Sequence, residues 1–117
     1  MEIQIYHNPR CSKSRDSHKL LTEKGLDFQT VEYLKEPPTK AALEAIVEKL
    51  GISAFELVRK KEAIFKEQFK ALNPEEVDWI QVMLEHPKLI ERPIVIKGNK
   101  AAIGRPIERI IDLLENH

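Results

Sequence analysis

The chain has one cysteine, Cys11, in 117 residues. A single thiol cannot form an internal disulfide framework or a four-cysteine zinc site, and it suits a reducing compartment. No sign of charge dominates: 19 basic residues balance 19 acidic ones, with a pI near 6.9, which argues against a whole-surface grip on nucleic acid or anionic membrane. No apolar run approaches the roughly 20 residues of a spanning helix. The N-terminus lacks the basic, apolar and small-residue segments of a signal peptide. A soluble, cytoplasmic protein with no nucleic-acid or membrane partner is expected. Low-complexity tracts, repeats and linkers are missing too. With 42% hydrophobic and 32% charged residues in 13.6 kDa, residues 1–117 are expected to form one domain, by default a monomer.

What is present is an alternation of strand and helix signals. Glu2 to Tyr6 has the period of two of a half-buried strand, and His7-Asn8-Pro9 then marks a turn. A helix is predicted from about Ser12 to Lys24, stopped by Gly25, followed by a strand marked by Phe28, Val31 and Tyr33 that ends at Pro37-Pro38. Thr39 is a good N-cap for a helix carrying Leu43, Ile46, Val47 and Leu50, with Gly51 as its stop. Ser53 and Glu56 have capping-box spacing, and Phe65, Phe69 and Leu72 follow at i, i+4 and i+7, so 53–72 reads as one or two short helices.

Asn73-Pro74-Glu75-Glu76 predicts a helix start, with Val77, Ile80 and Leu84 on one face and His86-Pro87 as its end. Ile94 to Ile96 and Ala101 to Ile103 read as a hairpin around Gly98-Asn99. A last helix is predicted from Pro106, with Ile107, Ile110, Ile111 and Leu114 on its buried face. The order argues for α/β layers around one sheet. The sheet halves are about 1–36 and 88–117, and a helical insertion runs from about 38 to 87.

Cys11 lies just after a strand and at the start of a helix, where free N–H groups and the helix dipole favour a thiolate nucleophile. The alternative is a small buried hydrophobe, but the flanking Arg10, Ser12 and Lys13 do not make an apolar run. His7 is either a donor to the sulfur or an ordinary hydrogen-bond partner in the turn. Arg10, Lys13 and Arg15 crowd a helix N-terminus, where cations are disfavoured, and Arg105 repeats the pattern before Pro106. Such cations make sense where an oxyanion fills the gap, because helix N-termini and guanidinium forks both bind tetrahedral anions.

Spacing excludes several other chemistries. Ser17 stands where a tyrosine-phosphatase loop would place its arginine, no Gly-rich phosphate loop exists, and Ser14 occupies the second position of a Cys-x-x-Cys pair. The histidines His18, His86 and His117 show no ligand spacing around His7 and Cys11, so no metal site is expected.

The run Tyr6-His7-Asn8-Pro9-Arg10-Cys11-Ser12-Lys13-Ser14-Arg15 resembles the active-site segment of the glutaredoxin-dependent arsenate reductase (ArsC) family, which has a thioredoxin-like fold. Later segments continue the resemblance over nearly the whole chain: Tyr33 to Pro38, Leu57-Val58-Arg59-Lys60, His86 to Val95, and Gly104-Arg105-Pro106. It implies a mixed four-stranded sheet flanked by helices, with Cys11 as nucleophile and His7 assisting its ionisation. It also implies that Arg59, Arg92 and Arg105 bind arsenate, with Ser14 and Arg15 contributing from the active-site segment. A cis Arg92-Pro93 bond is expected, making Pro93 structural at the site.

No bound cofactor is implied. Glutathione and glutaredoxin would be thiol partners, since reduction of the Cys11-arsenate adduct needs two electrons and the chain has no second cysteine. Ser12-Lys13 departs from the Gly-Thr pair of well-known arsenate reductases, and the longer C-terminal extension of some members is missing. A glutathione-linked thiol oxidoreductase acting on another substrate therefore stays open. So does an Spx-like regulator that binds RNA polymerase, although Ser14 breaks the Cys-x-x-Cys motif such regulators use.

Overall fold

The computed structural model describes residues 2–115; His117, weighed above as a metal ligand, lies outside them. The elements run β1 (Ile3–Tyr6), α1 (Ser12–Glu23), β2 (Gln29–Val31), α2 (Lys40–Leu50), α3 (Ala54–Leu57), α4 (Ala63–Gln68), α5 (Trp79–Glu85), β3 (Ile94–Lys97), β4 (Lys100–Ile103) and α6 (Glu108–Glu115). Short 3-10 turns cover Pro74–Glu76 and Pro87–Leu89. The chain divides into two compact units, Met1–Glu36 with Arg92–His117, and Pro37–Glu91.

The first unit is built on a mixed sheet of order β2-β1-β3-β4, the α/β arrangement that the thioredoxin-like resemblance implies. β1 pairs parallel with β2, in the register Ile5 to Thr30, because α1 carries the chain back between them. β1 pairs antiparallel with β3, and β3 with β4 through the Gly98-Asn99 turn, where Gly98 takes a φ of 61° that favours glycine. Alternate strand residues Ile3, Ile5 and Val95 form one core with Leu21 of α1 and with Ile110 and Leu113 of α6. Each such side chain contributes roughly 1.5–3 kcal/mol by leaving water.

The second unit is helical. Thr39 caps α2 by accepting from the Ala42 N–H at 3.1 Å, and Gly51 closes it in the left-handed conformation. The Ser53/Glu56 capping box forms as the spacing predicts. Phe55, Phe65 and Phe69 surround Trp79, with ring centroids 4.9 to 6.0 Å from the indole.

Four local expectations are corrected. The second strand stops at Val31, because the Glu32 carbonyl accepts the N–H groups of Lys35 and Glu36 and turns the chain; Tyr33 is buried outside the strand. α4 ends at Gln68, and Leu72 beyond it is 46% exposed rather than part of an apolar face.

The third correction concerns the helix predicted from Asn73. It is interrupted: Asn73 caps only a 3-10 turn, and Asp78 caps a new start at Trp79. The indole N–H of Trp79 donates to the Pro74 carbonyl at 2.9 Å, which fixes that ring inward. The buried face is accordingly Trp79, Val82 and Met83, while Val77, Ile80 and Leu84 are only half-buried. Lastly, α6 begins at Glu108, two residues past Pro106, and Leu113 joins Ile110 on its buried face.

Candidate active site

The end of β1 delivers the loop from His7 to Arg10, and Cys11 is the N-cap residue of α1, with extended φ and ψ of −97° and 124°. Its side chain does not cap the helix in the usual way; the thiol instead lies among donors. Arg105 Nη2 donates to Cys11 Sγ at 3.5 Å, and the backbone N–H groups of Ser14 and Lys13, in the first turn of α1, favour the charged form of the sulfur. Burial pushes the Cys11 pKa up. The Ser14 N–H, the Arg92 charge, the Lys13 N–H and the Arg105 charge, in that order, outweigh it, and the net direction is down, toward a thiolate. The thiol is partly exposed, so a small molecule can reach it.

The two arginines are joined through the backbone. Arg105 Nε donates to the Arg92 carbonyl at 2.7 Å, and the Gly104 N–H donates to the Pro93 carbonyl at 2.9 Å. Gly104 permits this closeness: a Cβ there would meet Ser17 Oγ at 2.6 Å and Pro93 Cγ at 2.7 Å. The Arg92-Pro93 bond is cis, as the resemblance implies, and so is Arg105-Pro106. Arg92 is 7% exposed, and its Nε and Nη1 have no hydrogen-bond partner. A buried guanidinium with free donors is costly unless something anionic completes it.

His7 is buried, and its Nδ1 is 2.6 Å from the Oγ of fully buried Ser14, which also accepts the Asn8 N–H at 2.9 Å. Ser14 thus braces the loop with its side chain and favours the thiolate with its N–H. Burial, the charge of His18 and that of Arg15 press the His7 pKa below the ordinary imidazole range, against an upward pull from Glu32. Arg15 Nη1 donates to the Pro9 carbonyl at 3.0 Å, pinning the loop from outside, while Arg10 and Lys13 are exposed.

Arg59 belongs to the second unit. Its Nη1 donates to Glu62 Oε1 at 3.3 Å, and its N–H donates to the Leu89 carbonyl beside the Val58–Ile90 bridge. His18, weighed from the sequence only as a metal ligand, stacks its ring on His7; its helical spacing from Ser14 was the available signal.

A model of the ArsC family matches residues 6–113, spanning the His7–Cys11 loop, Arg92 and the Gly104-Arg105 turn. The chain belongs to the ArsC family. It is 45% identical over 115 residues to the uncharacterised protein YfgD of Escherichia coli strain K12, covering 97% of each chain. It is 44% identical over 113 residues to the arsenate reductase of Neisseria meningitidis serogroup A, covering 93% of this chain and 95% of that one. The solved structure of the arsenate reductase from Vibrio cholerae superposes with a TM-score of 0.85 at 38% identity, covering 96% of this chain and 97% of that one. Its likeness extends the ArsC fold over nearly all of the chain.

Proposed function

We propose that this ArsC-family chain reduces arsenate to arsenite through Cys11. The observation that carries the reading is the partly exposed thiol hydrogen-bonded by Arg105, in the field of a buried Arg92 whose Nε and Nη1 lack partners. The names of the Neisseria and Vibrio relatives support the substrate.

In this mechanism the Cys11 thiolate attacks pentavalent arsenic, a sulfur–arsenic bond forms, and one oxygen leaves as water after protonation. Arg92 and Arg105 neutralise the oxyanion. One external thiol then attacks the Cys11 sulfur, the sulfur–arsenic bond breaks with its electron pair left on arsenic, and a second thiol attacks the resulting mixed disulfide to free Cys11. Arsenic gains two electrons, two thiols become one disulfide, and arsenite and one water are released per arsenate. Glutathione, with glutaredoxin, is the proposed thiol source, and no bound cofactor is needed. His7, Ser14 and Arg15 hold the loop. Pro93 shapes the approach of Gly104, and Arg59 keeps the anion-binding role that the family resemblance gives it. Among the described residues no helix is long and apolar enough to cross a membrane, and we place the protein in the cytoplasm as a monomer.

The test is NADPH consumption by purified protein with arsenate, glutathione, glutaredoxin and glutathione reductase, beside Cys11→Ser and a control without arsenate. Turnover that requires both arsenate and Cys11 is expected. Absence of turnover, or turnover unchanged in the serine variant, would overturn the reading and direct attention to another thiol substrate or to polymerase binding.

A further inference from the structure

His18 occupies a specific setting. Its ring lies against that of His7 with centroids 4.8 Å apart and planes 30° from parallel. Phe28 meets it edge-on at 5.2 Å, and Thr30 Oγ1 of β2 is 3.2 Å from its Nε2. One imidazole is therefore clamped against another by side chains on both sides of the Gly25 turn. The two rings share a cleft of about 550 Å³ with Arg15, Asp16, Lys19 and Thr22.

The partners of Ser14 favour one placement of the His7 proton. The Ser14 Oγ accepts the Asn8 N–H, and its own hydrogen is left for the His7 Nδ1 at 2.6 Å. Nδ1 is then an acceptor and Nε2 bears the hydrogen. Charging the ring would place a second proton on Nδ1. Ser14 would have to accept twice, and its hydroxyl hydrogen would be stranded in a fully buried position.

We propose that His18 is a positioning residue for His7: stacked on it, His18 holds the His7 ring in the neutral Nε2–H form that Ser14 selects, and so keeps the loop leading to Cys11 in one arrangement. A cation at either imidazole repels a cation at the other. The remaining charges around the pair are Arg15, Lys19 and Asp16 on α1 and Glu32 after β2, and Glu32 is the group that draws a proton toward His7. The consequence for turnover rests on the arsenate reading; the stack and the tautomer do not.

Imidazole nitrogen–proton NMR spectra of the full chain, recorded across pH, test the proposal without arsenate. His7 is expected to show the Nε2–H signature and to charge only at low pH in the wild type. His18→Phe preserves an aromatic ring in the clamp, so the fold is retained; His7 should then charge at higher pH, and His18→Gln should show the same direction. Ser14→Ala should abolish the tautomer preference. Thermal unfolding of each variant monitors the fold. A His7 titration unchanged in both His18 variants, or an Nδ1–H signature in the wild type, would overturn the proposal. If arsenate turnover were absent while His7 behaved as expected, only the preceding functional reading would fall.

Discussion

Arg92 and Arg59, one in each unit, show how differently the same side chain can be used. Arg59 is about one-quarter exposed and already has a carboxylate, Glu62, at 3.3 Å. Arg92 is buried, with Nε and Nη1 unpartnered. A partly exposed cation that already has a carboxylate contributes little, and an arriving anion adds less to it. A buried cation with unpartnered donors persists at a free-energy cost, and gains most when an anion arrives. The sheet unit therefore holds the unfulfilled charge and the helical unit the satisfied one.

The sharpest way to break this contrast is Arg92→Leu. Removing a preorganised donor from an oxyanion site costs about 10²–10³ in turnover, and kcat for arsenate should fall by that order. Alkylation of Cys11 should also become half-maximal at higher pH, because a charge that lowers the thiol pKa is lost. Arg59→Ala should cost turnover less and leave the alkylation profile in place. Equal losses in the two variants would erase the distinction.

Gly104→Ala probes the backbone that joins the arginines. The added methyl meets Ser17 and Pro93 well inside contact distance, and overpacking of this kind costs about 1–3 kcal/mol. Urea unfolding should show the loss. The smallest effect is expected for Ser17→Ala. The Ser17 hydroxyl is fully buried without a hydrogen-bond partner, so its removal should raise stability by up to about 1 kcal/mol and relieve part of the Gly104→Ala penalty in the double variant.

Local signals carried most of the fold. Thr39 and Gly51, Ser53 with Glu56, and Gly98-Asn99 each bond within a few residues, so their spacing specifies the geometry directly. Failures arose where a distant or aromatic partner set the phase. Trp79 is oriented by Pro74 and three phenylalanines, a pull that an i, i+3, i+4 count over Val77, Ile80 and Leu84 does not register. Leu113 joins a core completed by β1 and β3. At the site, the position of Cys11 at the start of α1 was legible because that signal is local, whereas of the cations beside it Arg10 and Lys13 are exposed and Arg15 bonds the Pro9 carbonyl. The burial of Arg92 and the His7–His18 stack were not legible, since both depend on segments that meet only in the folded chain.

The Arg105 bond to Cys11 spans 94 residues, and the same guanidinium holds the carbonyl of Arg92. The low thiol pKa is thus in part a product of long-range closure. During synthesis, while Arg105 is still within the ribosome, Cys11 would carry a thiol without its two arginine neighbours, less prone to ionise than in the finished protein. Nucleophilicity here matures only as the chain closes on itself.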